Sequence, residues 1–405
     1  MFQIISFIEK YVIIIIGENM KLKKALKNMD MLLLILSAIL LIFGLLNIVS
    51  ASSQAAVLKY KANLYSYFYR QAGTIIVGII IGLFIIKQPS KSYKLTGPLF
   101  YIIVLVLSLM VSFSSFGASY SGNNNWIYIP KLGTLQPSEF AKLALIIWEA
   151  ILFEKYHKEL SSDNISNNEK WNAIGKVLII GIIFPFIIFM QHDMGTMLII
   201  SAIFGALLLT SPISKEYKKT AIIIVAIAVF ISGFYIMSKG SVLSDRQSSR
   251  LDFYNPCKNY ESGGYQICNG FIAINSGGVF GNGIGNTKQI SYIPESHTDS
   301  VFAIIAEQYG LIVTTIIFII FALLLKSILN ISSRSKTIRG RYICLGVAIY
   351  IFLHILVNLG GLFGVMPLTG VPLPFLSYGG SFTLTLICAL AVVQRIEIEN
   401  RTMKN

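Results

Sequence analysis

Five stretches of this chain combine residue types that could do chemistry. The run Ile293-Pro294-Glu295-Ser296-His297-Thr298-Asp299 gathers two carboxylates and an imidazole, in a chain with only 19 Asp and Glu among 405 residues. Such a set could bind a cation or supply a general base. Solvated loop charges are the plainer alternative. Against it, Asp299 lies two residues before the apolar run Val301-Phe302-Ala303-Ile304-Ile305. A carboxylate at the edge of such a run is a functional candidate. Upstream, Gln136-Pro137-Ser138-Glu139-Phe140-Ala141-Lys142 reads as a helix start. Proline is harmless in a first helical turn, and Glu139 and Lys142, three apart, share a face. Within a membrane such a pair must face a partner or a polar cavity; an ion pair that only orients its helix is the alternative.

Three further stretches are more ambiguous. Asn123-Asn124-Asn125-Trp126 offers a tryptophan beside amides, suited to stacking on a sugar or an acyl chain, although an interfacial anchor is the commoner role. Residues 367–381 hold Pro367, Pro372, Pro374, Gly370, Gly379 and Gly380 and cannot form regular helix. At membrane depth such backbone is tolerated only inside protein or against a cavity, and Ser377-Tyr378-Gly379-Gly380-Ser381 could present N–H groups to an anion. Finally, Arg246, Arg250 and Lys258 precede Gly263-Gly264-Tyr265-Gln266. Basic groups there could meet a phosphate or simply be solvated.

The elements that must position these residues follow from composition. Hydrophobic residues make up 55% of the chain and charged residues 13%, about half the charged share of soluble domains. The apolar residues fall in blocks long enough to cross a bilayer as helix. The expectation is an all-α, polytopic membrane protein with ten spans near 31–50, 71–86, 98–114, 138–153, 176–190, 195–210, 220–237, 311–329, 342–360 and 381–395. Residues 1–30 read as an interfacial or superfluous extension, with Met1, Met20 and Met29 all open as the start. Residues 31–395 form the transmembrane domain and 396–405 a cytoplasmic tail. No dense basic cluster or nucleic-acid module accompanies the net charge of +14, so a nucleic-acid partner is not expected.

With the N-terminus inside, 23 of the 33 Lys and Arg fall in inner segments and 9 in outer ones. That asymmetry places both ends in the cytoplasm and the long loop 238–310 outside. There Cys257 and Cys268, eleven apart, are able to form a disulfide or to stay free. Cys344 and Cys388 sit in apolar runs and read as packing residues. No C-x-x-C pair occurs, so a zinc site is not expected.

Four motifs taken in order, Trp126 with Gln136–Lys142, Gly264-Tyr265-Gln266, Pro294–Asp299 and Pro367–Ser381, resemble the SEDS family, the polytopic proteins typified by FtsW, RodA and SpoVE. The resemblance spans most of the chain, from Val49-Ser50-Ala51-Ser52 onward. It implies a peptidoglycan glycosyltransferase that joins lipid II into glycan strands at the outer face of the bacterial cytoplasmic membrane. Asp299 matches the essential carboxylate; Trp126, Glu139 and Lys142 match cavity residues. Gln136, Ser138, Arg250, Gln266, Glu295, His297, Thr298, Pro372, Pro374, Ser377, Tyr378, Gly379 and Gly380 are the further substrate-binding candidates.

The same resemblance implies a class B penicillin-binding protein and other divisome or elongasome membrane proteins as partners, beside membrane lipid. A divalent cation, Mg or Mn, is a candidate helper, and no covalently bound cofactor is expected. The run Gly283–Gln289 leans toward the division branch, which implies a location at the septum. An elongation polymerase, a lipid II flippase and a non-catalytic scaffold are the competing readings. Four features depart from the family pattern: Asn125 where Arg is usual, Ser300 where Phe follows the carboxylate, Glu307-Gln308 for Glu-Glu, and a shifted outer-loop basic residue before Asn255-Pro256, which leaves Arg246 and Arg250 without a fixed match.

Overall fold

A computed structural model describes residues 27–59, 63–113, 117–120, 123–129, 133–162, 164–223, 253, 255–262 and 264–403. Most of the expected span 220–237 (224–237), Arg246, Arg250 and most of the extension 1–30 lie outside them. The helices are α1 (Met31–Gln54), α2 (Ser66–Lys87), α3 (Tyr93–Phe113), α4 (Pro137–Lys155), α5 (His157–Ser161), α6 (Asn167–Met190), α7 (Met194–Thr210), α8 (Tyr265–Gly277), α9 (Val301–Ser333), α10 (Ile338–Leu362) and α11 (Gly380–Thr402). Among the described residues, seven are long and apolar enough to cross a membrane. α4 occupies the expected span 138–153 but carries Glu139, Lys142, Glu149, Glu154 and Lys155, and α7 is short at 17 residues. The chain is a multi-pass, all-α membrane protein.

Helix starts follow local chemistry. Asp30 accepts from Leu33 N at 2.9 Å, Asp193 from Thr196 N at 3.1 Å and Thr337 from Gly340 N at 3.0 Å. Each satisfies an N–H that a helix start leaves unpaired. Pro137 sits in the first turn of α4 after Gln136.

Two features were not legible in the sequence pattern. An antiparallel sheet of β1 (Gly117–Tyr120), β2 (Asn123–Ile129) and β3 (Gly133–Leu135) stands between α3 and α4, with Ala118 opposite Trp126 and Ile127 opposite Leu135. α9 begins at Val301, ten residues before the expected span, and is broken at Gly310 (φ +72°). Segment 278–283 crosses at that break, with Leu311 N donating to Gly278 O at 2.9 Å and Gly283 N to Gln308 O at 3.0 Å. A Cβ on Gly281 would lie 2.2 Å from the Gln308 carbonyl oxygen, so only glycine admits this close crossing.

The inner ends are tied by charge. Asp30 meets Arg334 at the end of α9 (3.2 Å) and Arg401 at the end of α11 (3.5 Å), and Glu397 meets both arginines at 3.0 and 2.6 Å. The expected tail 396–405 is instead a continuation of α11 to Thr402, with Ile396, Glu397, Ile398 and Asn400 buried. The start of α1 and the ends of α9 and α11 therefore share one side, as the lysine and arginine count requires.

Candidate active site at the outer helix ends

Asp299 closes the outer loop one residue before the N-cap of α9 and is 7% exposed. Its Oδ1 accepts from Gln266 Nε2 at 3.0 Å and lies 3.5 Å from Thr298 Oγ1. Gln266 Nε2 also donates to Ser300 Oγ at 2.8 Å. The departure at Ser300 thus supplies an acceptor that Phe would lack. Gln266 stands in the first turn of α8, and Cys268 there is disulfide-bonded to Cys257 (Cα–Cα 5.0 Å). The bond fixes the turn that carries Gln266. Replacing both cysteines by Ser is expected to destabilise the outer domain by about 2–3 kcal/mol and to loosen the Gln266 contact; an unchanged melting temperature under oxidising conditions would contradict this.

Segment 367–379 runs beside the Asp299 loop and is fastened to it. Asn358 Nδ2 donates to both Asp299 O and Val371 O, each at 2.7 Å. Ser377 Oγ donates to Thr298 O at 2.5 Å and accepts from Leu373 N at 2.8 Å. Gly370 adopts φ +76°, and a Cβ there would stand 3.9 Å from Asp299 Oδ2. Gly370→Ala therefore meets backbone strain of about 1–3 kcal/mol and sets a methyl against the carboxylate. Activity that depends on Asp299 is expected to fall at least tenfold while Gly73→Ala, with open space around its Cβ, stays near wild type; equal activities would show that Gly370 only shapes the turn.

The expected anion nest at Ser377–Ser381 is not formed by its first three amides. Ser377 N donates to Leu373 O (3.1 Å), Tyr378 N to His297 O (2.8 Å) and Gly379 N to Gln71 Oε1 (3.3 Å). These N–H groups fold the segment onto its neighbours, as buried amides must. Pro372 lends its carbonyl to His354, Pro374 is buried beside Phe375 (φ +68°), and Gly380 begins α11.

Nor do Glu295, His297 and Asp299 assemble a cation site: among the described residues no group of three or more His, Cys, Asp or Glu side chains is placed to hold a metal ion. Glu295 is exposed and near Thr298 Oγ1 (3.5 Å). The His297 ring packs against Tyr67 and Tyr378 at 4.7 and 5.7 Å. Mg and Mn are commonly held by one or two carboxylates together with substrate phosphates; the described residues form no all-protein cage for either ion. Arg70, at the outer start of α2, reaches the Tyr378 hydroxyl; burial raises that hydroxyl's pKa and Arg70 opposes the rise. Glu295, Ser296 and His297 also line an outer cavity of about 400 Å³ with Gln54, Tyr265 and Tyr292.

Deeper in, Glu139 and Lys142 do form a buried pair. Lys142 Nζ lies 2.9 and 2.8 Å from the two Glu139 oxygens and 2.9 Å from His354 Nε2. An ammonium only donates, so Nε2 accepts and His354 Nδ1 donates to Pro372 O at 3.2 Å. His354 and Asn358, one helical turn apart on α10, thus link the ion pair, segment 370–373 and the Asp299 backbone. Gln136 and Asn125 bond the buried Asp193 carboxylate at 3.2 and 2.7 Å, and Gln136 N donates to Ser381 Oγ at 2.9 Å. Trp126 is half-buried in β2, and Ser138 is buried in α4. Asp193, His354, Asn358 and Arg70 were not singled out from sequence. A lone histidine and asparagine spaced i, i+4 in an apolar helix were the available signal.

A family profile described as "Cell cycle protein" (FtsW, RodA, SpoVE) matches residues 30–402. The chain is 31% identical over 385 residues to the probable peptidoglycan glycosyltransferase FtsW of Bacillus subtilis, covering 93% of this chain and 92% of that protein. It is 29% identical over 379 residues to the peptidoglycan glycosyltransferase MrdB of Escherichia coli K12 (93% and 95% covered). It is 30% identical over 380 residues to the stage V sporulation protein E of Bacillus subtilis (92% and 98%). Among solved structures, a chain of a peptidoglycan synthase complex superposes with TM-score 0.70 at 20% identity (92% and 98%). Thermus thermophilus RodA superposes with TM-score 0.63 at 20% identity (91% and 96%). The ordered motifs, the helical architecture and these matches agree: the chain belongs to the FtsW/RodA/SpoVE family.

Proposed function

We propose that this chain is a peptidoglycan glycosyltransferase that polymerises lipid II at the outer membrane face, with Asp299 as general base. The observation that carries the proposal is the buried Asp299 carboxylate at the outer helix ends, oriented by Gln266 and by Asn358 through its carbonyl. The relatives named as peptidoglycan glycosyltransferases support the substrate class.

The acceptor is the 4-hydroxyl of a terminal GlcNAc and the donor a MurNAc on polyprenyl pyrophosphate. Asp299 takes the hydroxyl proton as the oxygen attacks the anomeric carbon. The new C–O bond forms on the face opposite the leaving group, the anomeric C–O bond to phosphate breaks, and the linkage inverts. Pyrophosphate leaves as an anion and needs no second acid. It does need charge stabilisation, for which Arg70, beside Tyr378 at the outer start of α2, is the candidate. Proton removal by a placed base contributes about 10²–10⁴-fold.

A class B penicillin-binding protein is proposed as the crosslinking partner, in line with the synthase-complex neighbour. A septal role is part of the same proposal: depletion should block division, and loss of shape with septation intact would assign the chain to elongation instead. The test of the activity uses proteoliposomes in which labelled lipid II is offered only on the outer-facing leaflet. Glycan strands should form from that pool. Translocation of lipid II from the opposite leaflet without any polymer would overturn the reading in favour of a flippase.

A further inference from the structure

A groove opens at the inner ends of α3, α4 and α6, on the membrane side away from Asp299. It encloses about 350 Å³ and is rimmed by Lys94, Lys155, Lys176 and Tyr156, with Trp148 and Ile151 among its apolar walls. The cations gather around one ring. Lys176 Nζ donates to the Tyr156 hydroxyl at 3.1 Å and stands 4.7 Å from its ring centroid, and Lys155 Nζ stands 5.2 Å from it. The Lys176 bond, with help from Lys155, pulls the Tyr156 hydroxyl below its ordinary pKa.

Their charge is not cancelled locally. Among the described residues, neither Lys155 nor Lys176 has a carboxylate within ion-pair distance. Lys94 meets Glu154 Oε2 at 3.1 Å, but the buried Arg339 already binds that oxygen at 2.8 Å. Beside the rim the helices present apolar side chains outward: Leu95, Leu99 and Ile179 are 79%, 55% and 60% exposed. A basic rim over an apolar cleft between helices, on the cytoplasmic side, matches the chemistry of an anionic phospholipid. A soluble anion has no use for the apolar wall, and a neutral lipid none for the lysines.

We propose that this groove binds an anionic phospholipid of the inner leaflet. The phosphodiester sits among Lys155, Lys176 and the Tyr156 hydroxyl, and an acyl chain lies along Ile151, Ile179 and Trp148.

The test places the full chain in phosphatidylcholine vesicles containing a rising fraction of brominated phosphatidylglycerol. The quenching contributed by Trp148 is read as the difference between wild type and Trp148→Phe. Quenching should saturate at a low fraction of the anionic lipid, and brominated phosphatidylcholine at the same fraction should quench far less. Lys155→Gln with Lys176→Gln should weaken the apparent affinity roughly 25-fold, a factor of about five per lysine. Lys326→Gln, a cytoplasmic lysine outside the groove, should leave it unchanged. On the wild-type protein, raising the salt to half molar should weaken phosphatidylglycerol quenching only, a result that does not depend on the variant's folding.

Equal quenching by the two lipids, or no salt effect, would overturn the proposal. So would displacement of phosphatidylglycerol by millimolar inorganic phosphate, which would make this a free-anion site.

Discussion

Lys142→Ala is expected to leave little folded protein in the membrane. The substitution strands the Glu139 carboxylate, 3% exposed, and removes the donor to His354 Nε2. Breaking a buried ion pair by deleting one partner costs about 3–5 kcal/mol, because a charge remains without compensation. Neutralising both partners removes that charge, so Glu139→Gln with Lys142→Met should recover most of the loss. Its residual defect should be catalytic, since His354 and Pro372 lose their anchor and segment 370–373 loses its register on Asp299. Thermal melting of wild type and the two variants in detergent checks the ordering. A Lys142→Ala protein as stable as wild type would show that the pair does not hold the helices.

Asp299→Asn should fold and reach the membrane like wild type, yet polymerise about 10²–10⁴-fold more slowly, the range a positioned base supplies. The amide keeps the volume and an oxygen able to accept from Gln266, so the packing that fixes the loop survives. Gln266→Leu should act differently: it removes only the orienting donor, and its loss should be smaller and partly restored by Gln266→Asn or a similar amide. Initial rates on labelled lipid II, normalised to folded protein, check both. A rate for Asp299→Asn within threefold of wild type would remove Asp299 from the chemistry.

Much of this arrangement was legible in the sequence, and the reasons are physical. Asp299 stood out because a carboxylate beside an apolar run is costly and rare. Glu139 and Lys142 stood out because their spacing puts them on one helix face. Residues 367–381 could not be regular helix, and they are not. What their amides do was not legible, because Gly379 N and Tyr378 N find acceptors on Gln71 and His297, far away in the chain. The linkage of Lys142 through His354 to Pro372 escaped for the same reason: nothing local marks His354 as the third member. The start of α9 at Val301 was missed because Gly310 interrupts the helical pattern, and the crossing segment 278–283 that explains the break is a tertiary feature. The expected tail 396–405 continues α11 to Thr402, and two of its charges, on Arg401 and Glu397, pair with Asp30 and Arg334, partners distant in the chain. Cys257 and Cys268 were compatible with a bond, and only their placement across the start of α8 decided it.

The central claim, that this chain joins lipid II through Asp299, is tested most directly by one assay. Purified full-length protein is incubated with labelled lipid II, with and without a class B penicillin-binding protein, beside Asp299→Ala prepared in the same way. Products are resolved by length and digested with a muramidase. Wild type should yield a muramidase-sensitive ladder and Asp299→Ala none. A ladder of equal strength from Asp299→Ala, or no ladder from wild type even with the partner present, would contradict the account.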